Sequence, residues 1–420
     1  MDIKKIERLD AALVEASKKI KVLKVLVWPQ DAEEKFLEGW HKGNPQLPVI
    51  KWESPDMRSS VAKLDSIYAE CDLDDPVQKF LGETALSYAD AGRMLGSVGT
   101  PDFTRYSTKI YGRPDTVYKL QGMSAVDGAN FFLNLTTKLL GNPKLPPTEL
   151  DIAAKDFAGW LKSEVDEFFA HDSVEVVLDQ NMSAKALAGA SRIRVRGNAK
   201  FSQLDKDQLL YHEAFVHTAT MLNGKKQPNL KSLGLGAPRT TRTQEGIAVL
   251  AELITNAIDL TRLRRIALRV IAVKMALDGA DFIEIFKFFL ESGQPEDESV
   301  RSAQRIFRGG DVRGGIAFTK DAVYLQGLVE VHTFLRVAIR DNRPELVRNL
   351  FAGRLTMADS LRLSPLFESG WLQPPTYLPV WASDLRRLAA MMAYSAFVAH
   401  IKLENVYLER VIEIEDELKK

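Results

Sequence analysis

The chain has one cysteine, Cys71, in 420 residues, so no disulfide can close within it. That usage fits a reducing compartment. No charge of either sign is in excess: Lys plus Arg and Asp plus Glu are 56 each. A nucleic-acid binder would carry a basic surplus. Local basic runs such as Arg262-Leu263-Arg264-Arg265 read as the solvated face of a long helix. There is no run of about 18 uncharged apolar residues, the length a membrane-spanning helix needs. The most apolar stretch, Ile266–Leu277, is broken by Arg269 and Lys274. Charges interrupt Met1–Glu7 and no apolar segment follows, so no secretory signal is expected, and a cytoplasmic location is. With 45% hydrophobic and 27% charged residues, the composition is that of an ordinary globular protein.

Apolar residues at helical spacing (Ile6, Leu9, Leu13, Ala16, Ile20) predict a first helix, while Val22–Val27 fits helix or strand. Trp28–Pro55, rich in Pro, Gly and Trp, reads as irregular or extended. Helix is expected from about Pro76 to Leu95 and from Ala125 to Leu140, with a loop over Gly99–Asp115. Residues 141–147, Gly-Asn-Pro-Lys-Leu-Pro-Pro, read as a linker. A helix then fits about Thr148 to Phe169, followed by two β-rich runs, Val174–Leu178 and Ser191–Arg196. In the second, Ile193 and Val195 alternate with Arg192, Arg194 and Arg196, which predicts a half-buried strand with a basic face. Beyond Gly197 the pattern is helical. The expected fold class is α+β and predominantly helical, with a small sheet just before the key helix. The expected division is a mostly helical region 1–147, a core 148–345 and a helical region 346–420.

The chemistry concentrates in Phe201–Gly224. Ser202 fits an N-cap with Asp205 three residues on, and Asn223-Gly224 fits a stop. Inside lies His212-Glu213-Ala214-Phe215-Val216-His217, an H-E-x-x-x-H motif expected by accident on the order of 0.005 times per chain. The common zinc-peptidase helix spaces its histidines at i and i+4, on one face. At i and i+5 a regular helix would set the rings roughly 140° apart. One extra residue absorbed as a π-bulge would bring them together. The motif therefore demands a local widening between His212 and His217.

A catalytic zinc takes three protein ligands and a water. Thr243-Gln244-Glu245-Gly246-Ile247-Ala248 opens a second helix, to about Asp259, with Thr241 and Gln244 in a capping-box pattern. The Gly-rich loop between the two helices permits an antiparallel return that would carry Glu245 to the histidines. Gly246 leaves room for a close helix approach. Glu252, on the same face, is either a hydrogen-bond partner for one histidine or part of a surface salt bridge. Glu213, beside a ligand, is placed to act as a base. The Arg-rich strand 191–196, as an edge, could pair with an extended peptide.

His-Glu-x-x-x-His followed by Gln-Glu-Gly-Ile-Ala resembles the QEGLA-motif proteins, called flavohemoglobin expression-modulating in bacteria, with Ile247 in place of Leu. The pattern is similar to that of the microtubule-associated tyrosine carboxypeptidases, which remove a C-terminal tyrosine from tubulin. Dipeptidyl peptidase III is a more distant parallel. Arg105–Gly112, Phe307–Gly310 and Phe318–Asp321 also resemble the family, over most of residues 60–345. The resemblance implies one Zn2+ per chain on His212, His217 and Glu245, Glu213 as catalytic base, and a zincin-like metallopeptidase core.

Arg308, Lys320 and Tyr324 are the candidate substrate contacts, two cations for a terminal carboxylate and a phenol for the oxyanion. The function expected is a zinc carboxypeptidase-like enzyme acting on a peptide or protein C-terminus, with no nucleic-acid or membrane partner. The competing functions are a non-catalytic zinc-containing regulatory protein, and an aminopeptidase or dipeptidyl peptidase.

Overall fold

The computed structural model describes residues 1–118, 122–141, 149–180, 182 and 184–400. The expected linker, apart from Gly141, and the end of the C-terminal region, 401–420, lie outside them. The first helix is Ile3–Ser17, capped by Asp2, with Ile6, Leu9, Leu13 and Ala16 buried along one face. Val22–Val25 forms one helical turn, which settles helix against strand there.

Two stretches expected to be irregular contain helices. In Ala32–His41 the prolines stand outside (Pro29, Pro45), only Gly39 falls within, and Phe36 packs edge-on against Phe282 and Phe286 at 5.0 and 4.9 Å. Pro101–Tyr111 opens with Pro101, where a missing N–H costs nothing, and ends at Gly112 with φ +88°. Its Phe103, Ser107 and Tyr111 form a buried stripe. A helix also forms over Arg58–Glu70. The helix expected from Thr148 begins at Ala154 and runs to Phe168.

Five short strands form: β1 (Ile152–Ala153), β2 (Glu175–Asp179), β3 (Ala186–Ala188), β4 (Arg192–Arg196) and β5 (Lys200–Phe201). β1 pairs with β5, and a second sheet has the order β2-β4-β3, β4 lying parallel to β2 and antiparallel to β3. The Arg-bearing strand β4 is therefore central, not an edge; the edges are β2 and β3. Ile193 and Val195 pack in the core with Phe157, Leu161 and Val165 of the preceding helix. The arginines are neutralised along the sheet: Arg192 by Glu175, Arg194 by Asp179 and Arg196 by Glu298.

β5 leads into the histidine helix. Ser202 and Asp205 close a full capping box at its start. The helix passes its expected stop and continues to Lys226. Asn223 bonds the carbonyls of Phe351 and Tyr377 instead, and Gly224 lets the Leu233 carbonyl approach where a Cβ would lie 2.2 Å from it.

The next helix, Thr241–Ile254, crosses the helix Val323–Arg340 glycine against glycine. A Cβ on Gly246 would lie 2.3 Å from the Gly327 carbonyl oxygen, and one on Gly327 would lie 2.2 Å from that of Arg242. Among the described residues, Thr319–Arg340 alone is long and apolar enough to cross a membrane; half of it is buried here, with Val331 and Leu335 in the core. The hydrophobic clusters run across residues 147 and 345: one joins Ile6, Phe80 and Phe103 to Leu233, Phe318 and Leu355.

Gly246→Ala should therefore destabilise the protein by about 2 kcal/mol or more, since backbone faces backbone at the crossing. Gly159→Ala, exposed in the helix Ala154–Phe168 with nothing within 4 Å, should stabilise it by about 0.5–1 kcal/mol. Urea unfolding of the two variants checks both signs.

Candidate metal centre

The widening demanded by the histidine spacing is present: Leu210–Thr218 is a π-helix inside an otherwise α-helical segment. It brings the rings of His212 and His217 to 4.8 Å between centroids, at 89° to each other. Glu245 comes from the neighbouring helix, just past its first turn. Its Oε2 lies 3.4 Å from Nε2 of each histidine. All three side chains are buried, with their donor atoms within 4.8 Å of one another, and the group could hold a metal ion. The expected Thr241–Gln244 capping box does not form; the N-cap is Thr240, without a side-chain bond.

His212 is held from behind. His212 Nδ1 donates to Glu252 Oε1 at 2.7 Å, so that in the neutral ring the lone pair stands on Nε2. Glu252 is fully buried, so the surface-salt-bridge alternative falls away. Arg262 donates to both its oxygens, at 3.0 and 2.9 Å, and is thus buried rather than on a solvated face. On the other side, Thr220 Oγ1 and Arg354 Nη1 donate to Gln244 Oε1 at 2.8 and 2.9 Å. Arg354 Nη1 lies 3.4 Å from His217 Nδ1, long for a hydrogen bond. Glu213 is half-buried and accepts the Ala188 N–H of edge strand β3 at 2.8 Å.

Burial disfavours charge on every one of these groups, and their neighbours decide the outcome. At His212 the carboxylates of Glu245 and Glu252 outweigh burial and push the ring up to about 10. At His217 burial, helped by His212, prevails and lowers it. For Glu245, Lys320 and both histidines overcome burial and hold the carboxyl well below its usual range. A divalent cation needs neutral imidazoles and an ionised carboxylate: His217 and Glu245 meet that need, and His212 would give up its proton as the ion enters. Glu245 Oε2, buried and without a hydrogen-bond partner, is the orphaned acceptor that a cation would satisfy.

The substrate candidates lie on one side of this centre. Lys320 Nζ lies 2.8 Å from Glu245 Oε1 and 5.1 Å from the Tyr324 ring centre. Tyr324 faces the His212 ring at 6.5 Å and 25°. Arg308 follows the end of the helix Glu296–Ile306, close to Tyr324, Arg305 and Asp321. His332 stands apart, its Nε2 3.2 Å from Ser395 Oγ. Sequence reasoning missed Ala188 and Arg354, and took Gln244 for a capping residue. The motif neighbourhood pointed to Gln244; no local signal marked the other two.

The match to family models decides kinship: residues 34–400 match the model described as microtubule-associated tyrosine carboxypeptidase. The chain belongs to that family. Membership points to a carboxypeptidase-like peptidase, and it takes in Arg354, beyond the segment where the resemblance was read. No curated protein matches the chain. A crystal structure from Colwellia psychrerythraea, described as a lipoprotein, is similar at a TM-score of 0.40 and 13% identity, covering 86% of this chain and 69% of that one. That likeness is too distant to inform function.

Burial opposes the charge of Glu252, but Arg262 and His212 outweigh it and hold its carboxyl down to about 2. A depressed carboxyl contributes stability that is complete above its ordinary value of 4.5 and is lost as pH falls toward 2. Glu252→Gln should cost about 3–5 kcal/mol at neutral pH by leaving Arg262 unpaired. It should also flatten the stability profile between those two pH values. Thermal unfolding of metal-free protein across that range measures both effects.

Proposed function

We propose that the protein is a zinc-dependent, carboxypeptidase-like metallopeptidase. The observation that carries this is the unpartnered Glu245 Oε2, shared between two Nε2 atoms beside an accessible Glu213. His212, His217 and Glu245 would hold one Zn2+ per chain. When bound, zinc lowers the pKa of a water and polarises the scissile carbonyl. Glu213 takes the water proton and passes it to the leaving amine. The Ala188 N–H holds one oxygen of that base in place. Glu252, backed by Arg262, keeps Nε2 of His212 as the donor.

A small sheet, a histidine helix and a glutamate from the next helix together make a zincin-like core. Of the two edge strands, β3 is the one beside Glu213, and β-pairing of an extended peptide there would run the substrate past that base. Tyr324 donates to the developing oxyanion. The terminal carboxylate is received near Arg308. Burial and the neighbouring Arg305 push Arg308 down to about 10, and burial with Arg305 pushes Arg269 down to about 9. Cations are crowded here, and an arriving carboxylate relieves that crowding. The family description names a tyrosine carboxypeptidase associated with microtubules. For this chain the substrate proposed is a peptide or protein C-terminus, met in the cytoplasm.

Glu213→Gln should retain one zinc per chain and lose about 10²–10⁴-fold in hydrolysis. A chelator should abolish wild-type activity. In a peptide panel read by mass spectrometry, C-terminal amides should resist while N-acetylated peptides are cut. Full activity in Glu213→Gln would sink the mechanism, and cleavage of amides alone would favour an aminopeptidase.

A further inference from the structure

The two oxygens of Glu245 are not equivalent. Oε1 is held by Lys320 Nζ at 2.8 Å; Oε2 faces both imidazoles at 3.4 Å and has no hydrogen-bond partner. Both side chains of the ion pair are largely buried, at 13% and 10% exposure, so water does not weaken it.

Lys320 is fixed in place by its neighbours. The Thr319 N–H donates to Ser107 Oγ at 2.9 Å, and the two hydroxyls pair at 3.0 Å. Two residues earlier, the Ala317 N–H donates to Thr104 Oγ1 at 3.0 Å. On the far side, Asp321 is bound by Arg305 at 2.6 and 2.7 Å. Thr104 and Ser107 stand one turn apart on the helix Pro101–Tyr111, and Tyr111, a turn further, meets Phe318 edge-on at 5.4 Å. Ser107 and Tyr111 of the Arg105–Gly112 motif, with Thr104 just before it, thus dock the strap that carries Lys320.

We propose that Lys320 is a positioning residue. It occupies Glu245 Oε1, so that Glu245 offers the metal a single oxygen, Oε2, and a coordination position stays open for water. This rests on the zinc reading above, and it replaces the role of substrate-carboxylate receptor for Lys320. A carboxylate freed from its partner can close on a cation through both oxygens, which would fill the position that a catalytic site keeps open.

The test uses the full chain as wild type, Lys320→Met and Lys320→Gln, each loaded with Co2+ for visible absorption and with Zn2+ for kinetics. Wild type should show the strong absorption of four-coordinate cobalt. Lys320→Met should lose that intensity as the coordination number rises. Its kcat should fall by about 10–100-fold with KM unchanged. Lys320→Gln, which keeps one donor, should fall between the two, and it carries the test if the Met variant does not fold. A wild-type cobalt spectrum in the folded variant, together with a raised KM, would return Lys320 to the substrate and overturn the proposal. Wild type that takes up neither ion would instead sink the metallopeptidase reading itself.

Discussion

Two imidazoles five residues apart can face one carboxylate oxygen only if the helix between them is widened. The π-helix over Leu210–Thr218 supplies that widening, and the rest of the site is arranged around it. A bulge of this kind is retained when the surrounding structure holds both of its faces. Here β3 meets one face through Ala188 and Glu213, and the Glu245 helix meets the other through Glu252 and Gln244. The capping box at Ser202 fixes where the helix starts, and hence which residues the widening falls on.

Around that centre, buried charges alternate in sign. Arg262, Glu252 and His212 form one series; Lys320 and Glu245 form a second. Arg305 and Asp321 form a third, with Arg269 alongside at 3.8 Å. Each ion is held by a partner on a different element, so no helix of the site can slide without exposing an unpaired buried charge. The close crossing at Gly246 and Gly327 makes this spacing possible, because it brings the Tyr324 and Lys320 segment against the ligand helix. A packing feature two residues wide thereby sets distances in the chemistry.

The N-terminal region is part of this arrangement rather than an appendage. The helix Pro101–Tyr111 docks the Lys320 strap, and Trp28 and Phe36 pack on the helices that follow Leu260. Its sequence hid this. Pro, Gly and Trp over Trp28–Pro55 and Tyr, Gly and Pro near Arg113 are loop signals, yet each stretch also holds a helix, Ala32–His41 and Pro101–Tyr111. The two helices were missed because their apolar stripes are short and pack on residues more than 150 positions away. In the same way the alternation in Ser191–Arg196 marked a strand, but only pairing partners on both sides made it central.

The sequence by itself determined the elements whose information is local. These were the histidine helix with its Ser202 cap, the need for a widened turn, the strand of alternating Ile193 and Val195, and the small residue beside Glu245. A spacing, a cap and a period are properties of neighbours along the chain. Only the tertiary structure decided that Glu252 is buried on His212, that Lys320 grips Glu245, that Arg354 reaches Gln244 and that edge strand β3 lies beside Glu213. Those are meetings between segments 40 to 110 residues apart, or consequences of strand order. No local pattern encodes them, because their energies arise from burial and charge pairing that exist only once the chain has closed.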